Sequence, residues 1–201
     1  PPLFGATVKS FDAASAKAVK GVVDVVMISR GVAVVAENTW AAMKGREALK
    51  VEWDDSAAEK RGSADLFAEY LKQADQPGEA VAASRGDAEG AMAKAAKVIE
   101  ATYQFPYLAH AALEPLDAVA HKNGDVLEIW GGHQMPDLYQ AVAAQLAGIK
   151  PENVRLHVMK TGGSFGRRAV GDADVIVEAV AAAKALGWRA PVKVQWTRDN
   201  D

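Results

Sequence analysis

An α+β fold with mixed sheets is predicted for this chain of 201 residues, and three observations predict it. Short apolar runs rich in valine and isoleucine alternate with segments whose apolar residues recur at helical spacing, which is the pattern of strands and helices sharing one core. Half of the residues are hydrophobic, enough to bury that core. Glycine, proline and asparagine fall between the runs, where turns and caps are needed.

Residues 4–12 read as an extended segment, 13–19 as a short helix and 22–28 as an apolar strand. Residues 32–36 read as a buried strand, Asn38 or Thr39 as the cap of a helix reaching Leu49, and 50–53 as an alternating strand, together a β-α-β unit. Residues 54–62 are polar and read as a linker. Beyond it, Ser63 opens an amphipathic helix with Leu66, Phe67, Tyr70 and Leu71 on one face, ended near Gln76-Pro77-Gly78. Strands are expected over 98–105, 126–130, 154–158 and 192–196, with a helix over 137–147 closed by Gly148. Asp172 is expected to cap a last helix reaching Leu186, and the apolar residues surround most of that helix, so it is expected to be buried nearly all round.

Composition removes several classes of function. The formal net charge is −3 with basic residues dispersed, so there is no electrostatic footprint for nucleic acid or an anionic membrane. Cysteine is absent, which excludes disulfides, thiolate metal sites, iron–sulfur ligation and cysteine nucleophiles within the chain. No apolar run approaches the roughly 20 residues of a membrane-spanning helix. The four histidines (110, 121, 133, 157) include no i, i+4 pair, so a metal site of protein ligands alone is not expected. The start at Pro1 and the stop at Asp201 read as those of a piece of a longer protein.

The chemistry concentrates in Thr161-Gly162-Gly163-Ser164-Phe165-Gly166-Arg167-Arg168. Glycines let backbone approach a ligand closely, and successive N–H groups in a concavity bind anions or oxygen acceptors. Adjacent arginines offer forked donors suited to phosphate. The loop meets neither Gly-x-Gly-x-x-Gly nor a P-loop ending, so its local pattern leaves two readings: a tight turn with solvated arginines, or a binding loop. Glu114-Pro115 follows the apolar stretch 109–113, and Glu114 is expected to be salt-bridged or turn-capping in preference to acting as an acid. His110 and His133 lie in segments rich in glycine, proline or aromatics and are expected to be structural.

Three segments, Ala109-His110-Ala111-Ala112-Leu113-Glu114-Pro115, Trp130-Gly131-Gly132-His133-Gln134-Met135-Pro136 and Gly162-Gly163-Ser164-Phe165-Gly166, stand in an order that resembles the large molybdenum subunit of the xanthine dehydrogenase and aldehyde oxidase family. Gly163 to Arg168 is most similar to the branch typified by the β chain of isoquinoline 1-oxidoreductase. The resemblance implies part of an α/β hammerhead domain over 1–57, followed over 58–201 by the first portion of a molybdopterin-binding domain. It implies a parent enzyme that inserts water-derived oxygen into a C–H bond of an aldehyde or N-heterocycle. The cofactor would be a molybdenum-pyranopterin, with molybdopterin cytosine dinucleotide as its form, and an iron–sulfur small subunit would carry electrons away.

On that resemblance Gln134, Gly163, Ser164, Phe165, Gly166 and Arg168 are the candidate cofactor-binding residues. No catalytic residue and no metal ligand is expected in this stretch, because the glutamate base and the later pterin loops belong to other parts of the family's chain. The stretch alone is expected to fold, to be inactive and to hold no cofactor. Ser164 replaces a family glycine, and Ala169 stands where xanthine dehydrogenases have a substrate-facing glutamate, so a purine site is not implied. The alternative from another class is a non-catalytic phosphate- or nucleotide-binding module using residues 161–168. Localisation stays open between cell envelope and cytoplasm.

Overall fold

The computed structural model describes residues 1–201 apart from the side chain of Asn200. In chain order the elements are β1 (Thr7–Asp12), α1 (Ala14–Lys17), β2 (Val22–Ile28), β3 (Gly31–Ala36), α2 (Thr39–Ala48), β4 (Lys50–Asp54), α3 (Ser63–Ala74), α4 (Ala88–Ala93), β5 (Asp117–Asn123), β6 (Val126–Gly131), α5 (Pro136–Ala147), β7 (Val154–Val158), α6 (Asp174–Ala185) and β8 (Val192–Gln195). They fall into two compact units, one made of Pro1–Glu59 with Ala109–Asp201, the other of Lys60–Leu108.

The larger unit holds a four-stranded sheet ordered β7-β6-β5-β8 and two antiparallel pairs, β1 with β4 and β2 with β3. In the four-stranded sheet only β6 and β7 run parallel. The helix between them, α5, makes β6-α5-β7 the parallel crossover of the fold. It begins at Pro136, whose missing N–H costs nothing in a first turn, and ends at Gly148, which takes the left-handed conformation (φ +74°) that a C-terminal cap requires. Alternate residues of the sheet, among them Ala118, Ala120, Leu127 and Ile129, face a core shared with α5 and α6, which Leu116 joins from just before β5. Helix α6 buries eight of its twelve residues, as its all-round apolar pattern predicts. Ile176 and Val180 are each fully buried, worth about 1.5–3 kcal/mol apiece before chain entropy is counted.

Four expectations need correction. The β-α-β unit over 32–53 does not form, because β3 pairs with β2 and β4 pairs with β1, each antiparallel. The short α2, capped by Asn38 through the Ala41 N–H (2.9 Å), hands the chain from one ribbon to the other. Asp172 does not cap α6; its carboxylate takes Arg30 at 2.7 Å, and Ala173 at φ +50° occupies the cap position. The sequence pattern predicts no strand at 117–123, yet β5 is there. It joins β6 through a two-residue turn, Gly124-Asp125, with Gly124 at φ +56°, so Gly124-Asp125 is the hairpin signal. The fourth correction concerns 98–105, in the smaller unit.

That unit contains α3 and α4. Asp65 accepts the Gly62 N–H at the start of α3 (3.0 Å), and Asp87 caps α4 through Gly90 (2.9 Å). Phe67 stacks on Tyr107 with ring centroids 6.0 Å apart, and the Tyr70 and Tyr107 hydroxyls are hydrogen-bonded at 2.6 Å. Residues 98–105 form no strand. Their alternation is real, but a strand exists only through a ladder with a neighbour, and Val98, Ile99, Tyr103 and Phe105 are all exposed.

In the larger unit, Glu178 of α6 accepts from the Trp196 indole at 2.7 Å and lies 3.8 Å from Arg30. Burial pushes its carboxyl above the usual glutamate value, against the opposing pull of Trp196 and Arg30. A carboxyl raised in the folded state favours folding while protonated, and that contribution is lost as pH rises through the folded value. Glu178→Gln, which keeps an acceptor for Trp196, is therefore expected to raise the urea midpoint at pH 7. The gain should shrink as pH falls through the raised folded value and be gone below about 4.5, the ordinary glutamate value.

Candidate cofactor-binding site

The three sequence segments meet at one edge of the four-stranded sheet, and topology is the reason. Strands β6 and β7 are parallel, so Gly131-Gly132-His133-Gln134 and the loop after Val158 leave the sheet side by side. Strand β5 is antiparallel to β6, with Ala118 opposite Gly131, so the residues entering β5, Glu114 and Pro115, reach the same edge. Carboxyl ends of parallel strands are where open α/β sheets place ligands.

Glycines allow the segments to touch. A Cβ on Gly132 would stand 2.8 Å from the Thr161 Cβ, and one on Gly162 would stand 2.7 Å from the Glu114 Cβ. Both contacts are closer than side chains tolerate. Gly163 (φ +114°) and Gly166 (φ +98°) turn the loop, and Phe165 between them is itself left-handed at φ +54° and 76% exposed. For a bulky residue that conformation is strained, so the loop's shape is enforced by its surroundings.

Those surroundings centre on Glu114 and Arg168. Glu114 Oε1 accepts from the Thr161 hydroxyl (3.0 Å) and Arg168 Nη2 (3.0 Å), while Oε2 accepts from the Gly162 N–H (3.1 Å). Arg168 also donates Nη2 to the Glu114 carbonyl (3.1 Å) and Nε to the Gly163 carbonyl (3.2 Å). Its side chain is 1% exposed, so the pair is buried at the arginine end. Arg167 faces carboxylates too, Asp174 at 2.9 Å and Asp201 at 3.4 Å, with its guanidinium over the Trp196 ring. Both arginines thus meet neighbouring carboxylates and not bulk water, and Glu114 is the salt-bridged residue its segment predicts.

Gln134 closes the arrangement. Its N–H donates to the Arg168 carbonyl (3.0 Å) and its Oε1 accepts the Arg168 N–H (3.3 Å). The residue is exposed, and with Oε1 occupied its amide nitrogen is the end left to donate outward. Among the described residues, the N–H groups of Ser164, Phe165 and Gly166 have no protein acceptor. Four of the candidates therefore offer neutral donors on one rim, Gln134, Ser164, Phe165 and Gly166, while Gly163 turns the loop and gives its carbonyl to Arg168. The sixth, Arg168, lies beneath the rim as the clamp.

Two residues outside the candidate set belong to the site. Glu114 is one. His133 is the other: it is buried at 8% exposure, edge-on to the Tyr139 ring, and its imidazole is pushed below the ordinary 6.5 by burial and then by the Arg168 charge. Its neighbour Gly131 leaves it room, since a Cβ there would lie 2.9 Å from the His133 ring. Among the described residues no cluster of histidine, cysteine or carboxylate side chains could hold a metal ion, and no helix is long and apolar enough to cross a membrane.

Residues 72–201 match the molybdopterin cofactor-binding domain, and the chain belongs to that family. It is 30% identical to one of the subunits of nicotinate dehydrogenase from Pseudomonas putida, over 98% of its own length and 16% of the relative's. It is 32% identical to the membrane-bound aldehyde dehydrogenase [pyrroloquinoline-quinone] of Gluconacetobacter polyoxogenes, over 100% of this chain and 27% of that one. The beta chain of isoquinoline 1-oxidoreductase from Brevundimonas diminuta is 28% identical over 100% and 26%. The chain thus spans about a quarter or less of these relatives. Among solved structures, quinoline 2-oxidoreductase from Pseudomonas putida 86 superposes with a TM-score of 0.65 at 20% identity, covering 100% of this chain and 30% of that one. The Cu,Mo-CO dehydrogenase does so with a TM-score of 0.68 at 23% identity, covering 97% and 31%. These share the mixed α/β fold.

Proposed function

We propose that this chain forms one wall of the cofactor site in the large subunit of a molybdenum hydroxylase acting on an aldehyde or N-heterocycle. The observation that carries the reading is the rim itself: three separated segments converge so that backbone N–H groups and one neutral amide are left without protein acceptors among the described residues while Glu114 and Arg168 pair with each other beneath them. Such a donor set fits a molybdenum-pyranopterin, which offers oxygen and ring-nitrogen acceptors to neutral groups. When bound, that group supplies the redox chemistry of hydroxylation.

The protein's own part is positional. Ser164, Phe165 and Gly166 donate backbone hydrogen bonds, Phe165 covers a flat surface or excludes water, and Gln134 Nε2 orients an oxygen acceptor without adding charge. Arg168 holds the loop against Glu114. Residues 1–57 are assigned to an α/β hammerhead domain and 58–201 to the molybdopterin-binding domain, in keeping with the matched range of 72–201. The cytosine dinucleotide form of the pterin and an iron–sulfur partner protein complete the proposal, the latter in keeping with the absence of cysteine here. A nucleotide module on residues 161–168 loses its basis, since both arginines are committed to carboxylates.

Metal analysis and pterin fluorescence on the purified full-length subunit test the reading. Molybdenum and pterin in equal amounts are expected. A metal-free preparation that binds simple nucleotides tightly would reject it.

A further inference from the structure

Three buried side-chain nitrogens at the base of the site have no protein partner: Nδ1 and Nε2 of His133 and Nη1 of Arg168. The two residues are 8% and 2% exposed. Arg168 has spent Nε on Gly163 and Nη2 on Glu114, so Nη1 is surplus. A guanidinium only donates, and a neutral imidazole has one donor and one acceptor, so these groups cannot satisfy one another completely. Buried polar atoms in native proteins are almost always paired, and where side chains do not suffice an internal water with about three bonds does it.

We propose that His133 and Arg168 Nη1 share a buried water, and that this triad is the device positioning Gln134. Water accepts from Nη1 and donates to the unprotonated ring nitrogen, which pairs two of the three nitrogens. The chain geometry turns that bond into positioning. His133 directly precedes Gln134, and Gln134 is bridged twice to the backbone of Arg168. The Tyr139 hydroxyl donates to the same Arg168 carbonyl (2.9 Å), while its ring meets His133 edge-on with centroids 5.7 Å apart. A water joining the two side chains therefore ties together both ends of the bridge that carries Gln134.

The test is hydrogen exchange at the Gln134 and Arg168 amides in the full-length subunit, which reads the bridge whether or not cofactor is loaded and so stands apart from the proposed function. His133→Leu keeps the bulk and removes both nitrogens, and exchange at the two amides is expected to quicken about tenfold or more. His133→Gln restores a neutral donor and acceptor and should stay within about threefold of wild type. A high-resolution crystal structure should show the water in wild type and in His133→Gln. Unchanged exchange in His133→Leu overturns the proposal, as does a crystal structure with no water there. If His133→Leu does not fold, His133→Gln decides: exchange as fast as in an unprotected loop would mean that ring packing on Tyr139, not hydrogen bonding, holds the bridge.

Discussion

On the proposed reading, replacing Arg168 with alanine in the full-length subunit is expected to loosen the site and empty it of molybdenum together. The guanidinium holds the Gly163 carbonyl, the Glu114 carbonyl and the Glu114 carboxylate from a position that is 1% exposed at the side chain. Removing one partner of a buried ion pair costs about 3–5 kcal/mol, because the remaining charge stays desolvated. Here the Glu114 side chain is 39% exposed and can rehydrate, which puts the expected loss near the low end of that range. The alanine also leaves a cavity beneath the loop, and the strained Phe165 turn then has less to enforce it. Cofactor content should fall about tenfold or more, since a change of about 1.4 kcal/mol in holding the loop already gives a factor of ten. Lysine should rescue only partly, because one ammonium cannot reproduce a planar fork that reaches three acceptors. Melting temperature and molybdenum content of the two variants check this, and wild-type values in Arg168→Ala would show that the clamp is dispensable.

How the sequence relates to this structure differs between local and non-local features. Asn38, Gly148 and the all-round apolar pattern of α6 are local devices, and each acts where the sequence places it. Pairing is non-local and less legible. The valines of β3 and the alternation of β4 carry no label for their partners, so a β-α-β reading joins two strands that belong to different ribbons. Strand β5 is faint in the sequence because its buried face carries Ala118 and Ala120, whose small side chains give little hydrophobic contrast. Residues 98–105 have the contrast but no neighbour, and contrast alone makes no ladder.

The site shows the same division. Its segments are legible as motifs in order, whereas the inward turn of Arg168 and the burial of His133 depend on three strand ends sharing one sheet edge. An Arg-Arg pair after a glycine loop reads equally well as ligand-facing or solvated. Only the edge geometry shows each arginine turned to a carboxylate of its own, Asp174 for Arg167 and Glu114 for Arg168.

Gln134 offers the sharper separation of structure from chemistry. In the proposed reading its Oε1 anchors the residue on the Arg168 N–H, and its Nε2 donates to an oxygen acceptor of the cofactor. Gln134→Ala removes both bonds. The anchor is an ordinary hydrogen bond worth about 1 kcal/mol, whereas a bond to a charged or strongly polar partner is worth about 1.5–3 kcal/mol. Turnover of the full-length enzyme should therefore fall by about one to two decades while stability changes little. Gln134→Glu distinguishes the two ends, because a carboxylate keeps the acceptor for Arg168 but loses the donor and places a negative charge at the rim. The glutamate variant should retain wild-type protection of the Arg168 amide from exchange and lose at least as much turnover as alanine, since repulsion adds to the missing bond. If Gln134→Glu turns over normally with full molybdenum content, Nε2 has no part in the chemistry and Gln134 is a structural anchor alone.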